Sequence, residues 1–271
     1  MKIRDQANCK IFTPVLGYSL SIEARVMETG LDTPTIGDAR EFTSQLVGAF
    51  PLIEAVLLCG SVARGDANPW SDIDLLVISS DPNLTATALR EVISERSQVS
   101  LIYYQTSSFV TSCQRHPLFT AHLKIEGMVL FDPAGILNKI LDTSTVTQED
   151  IAVEIKQYRK KLAPYRHPTR YNNNFLFCLS HLYSIGKGVI MLGLASHGVF
   201  EFNRDTAFER FVTLNPELSK RVATIAELRP FYCLVNGRKR ETLPFSYHDA
   251  AMKMEEAVNA IDFLAVRAGC L

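Results

Sequence analysis

Asp72 and Asp74 stand two residues apart at the head of an apolar run, Ile73-Asp-Leu-Leu-Val-Ile. In an extended strand, residues i and i+2 project from the same face, so this spacing sets two carboxylates side by side. Twelve residues before Asp72, a second apolar run ends in Gly60-Ser61. Gly60 permits a tight turn after a strand and leaves the backbone open to a phosphate. Ser61 adds a hydroxyl, and a short helical turn over 61–65 would offer backbone N–H groups to a triphosphate tail. Arg64 either adds a positive charge to this cradle or points to solvent. Ser71 joins Gly60, Ser61 and Arg64 as a nucleotide-binding candidate. Paired carboxylates beside a phosphate cradle make a magnesium site, with Asp72 and Asp74 as both metal ligands and catalytic residues. Such a site supports in-line displacement at the α-phosphorus by clamping the attacking and leaving oxygens. Taken singly, Gly-Ser is an ordinary turn and Asp-x-Asp a solvated strand edge. Their order and strand contexts together favour the chemistry.

Positioning these groups requires a sheet. Residues 53–59 and 73–78 read as buried strands, 99–104 as a third and 128–131 as a fourth. Helical patterns fit 37–50, with Asp38 as N-cap, then 84–96, 117–125 and a segment through 141. The stretch 11–14 reads as a short edge strand. From 147 onward the pattern is helical. Val153, Tyr158 and Leu162 mark a first helix ended by Pro164, and positions 175, 178, 179, 182, 185, 189 and 192 form one apolar face of a second. Shorter helices fit 204–213 and 216–228, and a last one carries Met254, Val258 and Ile261. The expectation is an α+β domain of mixed sheet and helices over 1–145, with an N-terminal extension, followed by an all-α helical bundle over 146–271.

Composition sets bounds. The 271 residues are enough for one large or two modest cores. A net charge of −1 gives no global attraction to nucleic acid or an anionic membrane. Six cysteines lack zinc-knuckle spacing and read as reduced, buried thiols. The opening Met-Lys-Ile-Arg-Asp-Gln has no signal-peptide apolar run. The most hydrophobic stretch, 175–195, carries Lys187 at its centre, which argues for a buried bundle helix over a membrane span. The expected location is the cytoplasm, with no membrane association.

The block over 60–77 closely resembles the minimal nucleotidyltransferases of the polymerase-beta superfamily. The likeness extends over about residues 37–135 and takes in His116-Pro-Leu-Phe-Thr-Ala-His-Leu-Lys-Ile-Glu-Gly-Met-Val-Leu-Phe-Asp. It implies a nucleotidyltransferase fold, binding of a nucleoside triphosphate and magnesium, and Asp72 and Asp74 as the metal ligands. One departure matters. The family places a third carboxylate on the neighbouring strand, which here reads Val99-Ser100-Leu101-Ile102. Serine is a poor magnesium ligand and cannot take the acceptor's proton as a carboxylate does. The expectation is normal nucleotide binding with slow transfer, unless Glu95 or Glu126 completes the site.

The helical half weakly resembles HEPN domains, in the order Met191-Leu-Gly-Leu, then His197-Gly198-Val199, then 208–211 and 216–228. Active HEPN ribonucleases carry an arginine followed by a histidine four to six residues on. Arg229 is followed by Pro-Phe-Tyr-Cys-Leu-Val, without one. Arg115 and His122 have a similar spacing inside the α/β half and read as coincidence. Two basic clusters, over 150–170 and 228–240, read as solvated surface or as a patch for a nucleic-acid or protein partner. Trp70 reads as loop packing. Two functions follow: a magnesium-dependent enzyme moving a nucleoside monophosphate to an unknown acceptor hydroxyl on a small molecule or protein, or a catalytically degenerate nucleotide-binding regulatory module, antitoxin-like.

Overall fold

The computed structural model describes residues 32–69, 71–93, 99–143, 145–171, 174–236 and 247–269. The expected edge strand at 11–14, the Trp70 ring and Glu95 lie outside them. Residues 32–271 form one compact unit.

The chain enters through α1 (Ile36–Ala49). Thr35, not Asp38, is its N-cap. The Thr35 Oγ1 accepts the Asp38 N–H at 3.2 Å, and the Asp38 carboxylate accepts the Thr35 N–H at 2.9 Å. This reciprocal box satisfies two donors that the first turn leaves without helical partners. Four strands follow among the helices: β1 (Ile53–Cys59), β2 (Ile73–Ser79), β3 (Val99–Gln105) and β4 (Met128–Phe131). The sheet order is β3-β2-β1-β4, with β1 antiparallel to β2 and β4, and β2 parallel to β3. The mixed sheet expected from the apolar runs is therefore present.

The sheet's two faces bury different partners. Ile53, Val56, Leu58, Ile73, Leu75 and Val77 pack with α1 and with α3 (Ala86–Val92). Ala55, Leu57, Cys59, Leu76 and Ile78 face the other way. They meet α4 (Thr106–Arg115), α5 (Pro117–Glu126) and α6 (Ile136–Asp142). Period-2 alternation along β2 therefore sends Asp74 to the same side as Leu76 and Ile78. Helix α4 was not expected. It is held by Phe109 and Cys113, four residues apart and both buried.

Beyond 147 the described chain is helical: α7 (Gln148–Leu162), α8 (Phe175–Ser196), α9 (Arg204–Leu214), α10 (Ser219–Ala226), α11 (Arg229–Val235) and α12 (Tyr247–Ala268). Helix α8 is central and packs on α7, α9, α11 and α12. By length and composition it is apolar enough to cross a membrane, with mean hydropathy 1.5, yet 72% of that window is buried inside the protein. Val153, expected on the buried face of α7, is instead exposed. Ile151, Glu154, Ile155 and Leu162 make that face. The basic cluster over 150–170 is partly neutralised across the fold, since Arg159 and Arg166 both reach Asp262 of α12, at 2.9 and 2.8 Å.

Candidate active site

The turn after β1 winds into α2 (Gly60–Arg64), and the chain then returns through a loop into β2. Gly60 has φ +73°, a conformation that costs a side-chain-bearing residue about 1–2 kcal/mol. A Cβ placed there would lie 2.4 Å from Asp74 Oδ2. The cradle glycine and the strand carboxylate thus touch, and nothing larger than hydrogen fits between them. Gly65 closes α2 in the left-handed region, its N–H directed to the Ser61 and Val62 carbonyls. Asp74 pairs in register with Cys59 on one side and Ser100 on the other. Ser100 therefore stands beside Asp74, on the same face of the sheet.

All six residues selected from the sequence, Gly60, Ser61, Arg64, Ser71, Asp72 and Asp74, line one cleft of about 850 Å³. Ser71 is buried, and its oxygen already accepts the Asn68 N–H at 2.9 Å, which closes the loop ahead of Asp72. Arg64 does not point to solvent. Its Nη1 donates to Glu126 Oε2 at 2.7 Å and its Nε to Asp66 at 3.2 Å. Burial opposes its charge, but the Glu126 and Asp66 carboxylates outweigh that and hold it above the ordinary range. Glu126 is pulled below the usual carboxylate range by His122 and Arg64, against the effect of its own burial. Glu126 is thus committed to a cation and a ring. Burial, with Asp74 and Glu126 nearby, pushes the Cys59 thiol up to about 12, so it is inert as a nucleophile.

The opposite wall comes from the helical half: Glu154 and Tyr158 of α7, Lys187 and Gly188 of α8, the 202–205 segment, and Arg229 and Tyr232 of α11. The two walls are tied together. Asn203 Nδ2 donates to Asp66 at 2.6 Å, while its Oδ1 caps α9 by accepting the Asp205 and Thr206 N–H groups. Phe202 lies against His122, ring centroids 4.7 Å apart. Arg229 forms a forked pair with Asp205 at 2.8 and 3.3 Å. Arg204 sits over the Tyr232 ring at 5.4 Å, and its buried Nε has no hydrogen-bond partner. A Cβ on Gly188 would fall 2.4 Å from the Tyr158 ring, so this glycine lets α7 and α8 close on the cleft.

The sequence pointed to the helical half as the part that shapes the acceptor site, but it singled out none of these residues for that role. One signal was present: Lys187 in the middle of an apolar helix, a charge whose cost requires a wet or polar surface. The Arg115–His122 spacing had a partial meaning, in that His122 lines the cleft while Arg115 is exposed at the end of α4.

Glu154 is buried to 7% exposure and accepts the Leu118 N–H at 3.1 Å. Burial raises its carboxyl above the ordinary value of 4.5, against the pull of that N–H and of Lys161. A carboxyl raised by folding supplies stability that is fully present below its unfolded pKa and is lost as pH rises through the folded one. Glu154→Gln keeps an acceptor for Leu118 without the charge. Melting temperatures from acid to neutral pH should show the variant gaining on wild type as pH rises past about 4.5. A constant difference at every pH would contradict this.

Asp72 and Asp74 supply two hard oxygen donors, and the contact at Gly60 sets one of them against the phosphate cradle. Magnesium takes one or two carboxylates and completes its shell with phosphate oxygens and water, so these residues fit that ion. Among the described residues no group of three or more His, Cys, Asp or Glu is arranged around one point as a metal site.

Residues 37–116 match the family model of the nucleotidyltransferase domain. No curated protein matches the chain. Among solved structures, a nucleotidyltransferase-like protein from Exiguobacterium sibiricum is 13% identical over 84% of this chain and 75% of its own, with a TM-score of 0.39. A spectinomycin adenyltransferase from Enterococcus faecialis, solved with ATP and spectinomycin, is 12% identical over 83% of this chain and 99% of its own, with a TM-score of 0.49. A toxin–antitoxin structure with AMP-PNP is 18% identical over 38% of this chain and 85% of its own, with a TM-score of 0.29.

Proposed function

We propose that this chain, whose residues 37–116 match the nucleotidyltransferase domain model, moves a nucleoside monophosphate from a nucleoside triphosphate to an acceptor hydroxyl in the cleft between its sheet and its helical half. The observation that carries the reading is the contact of Gly60 with Asp74. It joins a backbone turn suited to phosphates and a carboxylate suited to a divalent cation at one point.

In this reading Gly60 and Ser61 hold the phosphates, and Asp72 and Asp74 hold magnesium. The ion would offset the negative charge that builds on the phosphates during displacement. Arg64 does not bind the triphosphate directly. It fixes the end of α2 by pairing with Glu126 and Asp66. Lys187 and Arg204 face the cradle across the cleft and supply positive charge to the polyphosphate. The acceptor enters beside Glu154, Tyr158 and Tyr232, where aromatic surface and a carboxylate suit a hydroxyl-bearing small molecule or a protein side chain. The phosphate turn and the metal-binding carboxylates come from before residue 145, while the helices after it add positive charge for the polyphosphate and the surface that selects the acceptor. This is cytoplasmic chemistry, with triphosphate and magnesium at hand.

Calorimetric titration of ATP with magnesium into wild type and Asp74→Ala tests the site. Loss of a charged ligand costs about 1.5–3 kcal/mol, so the variant should bind roughly 10–100-fold more weakly. Equal affinity would sink the assignment. The second reading, a nucleotide-binding regulatory module without turnover, is favoured by Ser100 standing in register with Asp74.

A further inference from the structure

Ser100 leaves the transfer chemistry without a carboxylate to take the acceptor's proton, and Glu126 is already engaged by Arg64. The cleft holds another group able to do this. His122 projects from α5 one helical turn before Glu126, and its Nε2 lies 3.1 Å from Glu126 Oε2. Nε2 is fully buried and lacks a well-aligned hydrogen bond, so the ionised Glu126 is the group positioned to keep its proton there. A carboxylate that holds the proton on one imidazole nitrogen leaves the other as a base. The ring is partly exposed, and His122 lines the same cleft as Asp72 and Asp74. Two observations tie the pair to the carboxylates' side of the cleft. Cys59, in register with Asp74, lies within electrostatic reach of both Asp74 and Glu126. Helix α2 carries Gly60, touching Asp74, at one end and Arg64, touching Glu126, at the other, about one turn apart. The Phe202 ring of the helical half packs on the imidazole and fixes its orientation.

The geometry points to His122, oriented by Glu126, as the general base for the acceptor hydroxyl in place of the carboxylate that Ser100 replaces. This inference rests on the transfer reading above. As the acceptor oxygen bonds to the α-phosphorus, its proton passes to the imidazole Nδ1. The bond from the α-phosphorus to the bridging oxygen breaks, and pyrophosphate leaves with the electron pair. The imidazolium then gives its proton to solvent. Glu126 and Arg64 keep their charges throughout.

The test follows pyrophosphate release from ATP and magnesium by the full chain, with glycerol as the hydroxyl probe, alongside calorimetric ATP affinity. His122→Ala should bind ATP as wild type does and release pyrophosphate about 10²–10⁴-fold more slowly. Free imidazole should restore part of that rate in His122→Ala, where the ring's space is open. It should not do so in His122→Gln, where that space is filled. Ser100→Asp added to His122→Ala should also restore it, by returning a carboxylate to the neighbouring strand. His122→Gln guards against a folding defect and should melt within a few degrees of wild type. A wild-type rate in His122→Ala overturns the inference and leaves the transfer reading intact. A slow variant that neither imidazole nor Ser100→Asp rescues also overturns it, since that is the mark of a structural role. Wild type that binds ATP but releases no pyrophosphate removes His122 as a base. Wild type that does not bind ATP removes the transfer reading and the inference with it.

Discussion

Gly60→Ala should slow transfer by about 10²-fold or more while the protein stays folded. The methyl group would enter the 2.4 Å gap to Asp74 Oδ2, at a φ of +73°. Neither the turn nor the carboxylate can keep its place. The backbone strain is about 1–2 kcal/mol. In a protein of this size each kcal/mol lowers the melting temperature by roughly 2–4 °C, so the fold survives with a modest loss. The chemistry does not. Displacing a reacting group by an ångström costs on the order of 10²-fold, and here the turn proposed to hold the phosphates and the carboxylate proposed to hold the metal move together. Thermal melting and pyrophosphate release on the same preparation check both halves of the expectation. A variant with wild-type turnover would show that the contact is incidental.

Arg204→Leu is the second large expectation, and its sign in stability is opposite. The buried Nε of Arg204 has no partner, and such a donor costs about 1–3 kcal/mol. The guanidinium is retained over the Tyr232 ring on the wall facing the cradle. On the proposed reading, a polyphosphate in the cleft would supply the missing acceptor. Leucine removes the unsatisfied donor and keeps apolar contact with Tyr232. The variant should melt at or above the wild-type temperature and bind ATP with magnesium roughly 10–100-fold more weakly, the worth of a charge-assisted hydrogen bond. Lower stability with unchanged affinity would mean that Arg204 serves the fold and not the nucleotide.

The parts of this molecule that were legible in sequence are those whose signal is local. β1 and β2 are apolar from Ala55 to Cys59 and from Leu75 to Ile78 because both their faces are buried there. The cradle and the two aspartates lie within fifteen consecutive residues, and their strand contexts fix which way they face. The start of α1 was displaced because Gly37-Asp38 resembles a cap. The structure uses Thr35, three residues before Asp38, and only the reciprocal pair shows which is which. Helix α4 was missed because Thr-Ser-Ser-Phe-Val-Thr-Ser is rich in residues that compete with the helical backbone. Its helicity comes from Phe109 and Cys113 meeting the sheet. The apolar spacing of α7 pointed to Val153, yet the buried position next to it is Glu154, tolerated because the Leu118 N–H of another helix meets it. Of the far wall of the cleft, only Lys187, a charge in the middle of an apolar helix, gave a signal in the sequence. Lys187, Arg204 and the pair Arg229 and Tyr232 come from three different helices, and only the packing around α8 and the Asn203–Asp66 bond bring them to the same cleft as the cradle.

The central claim is attack at the α-phosphorus by an acceptor held in this cleft. The most direct measurement incubates the full chain with magnesium and ATP labelled either at the α- or at the γ-phosphate, and follows where each label goes. The account predicts that the α-label stays with adenosine, as AMP or joined to an acceptor, while the γ-label appears in pyrophosphate. It also predicts that Asp72→Asn combined with Asp74→Asn stops both. Release of the γ-label as free phosphate, with the α-label left in ADP, or label transfer that survives the double substitution, would contradict it.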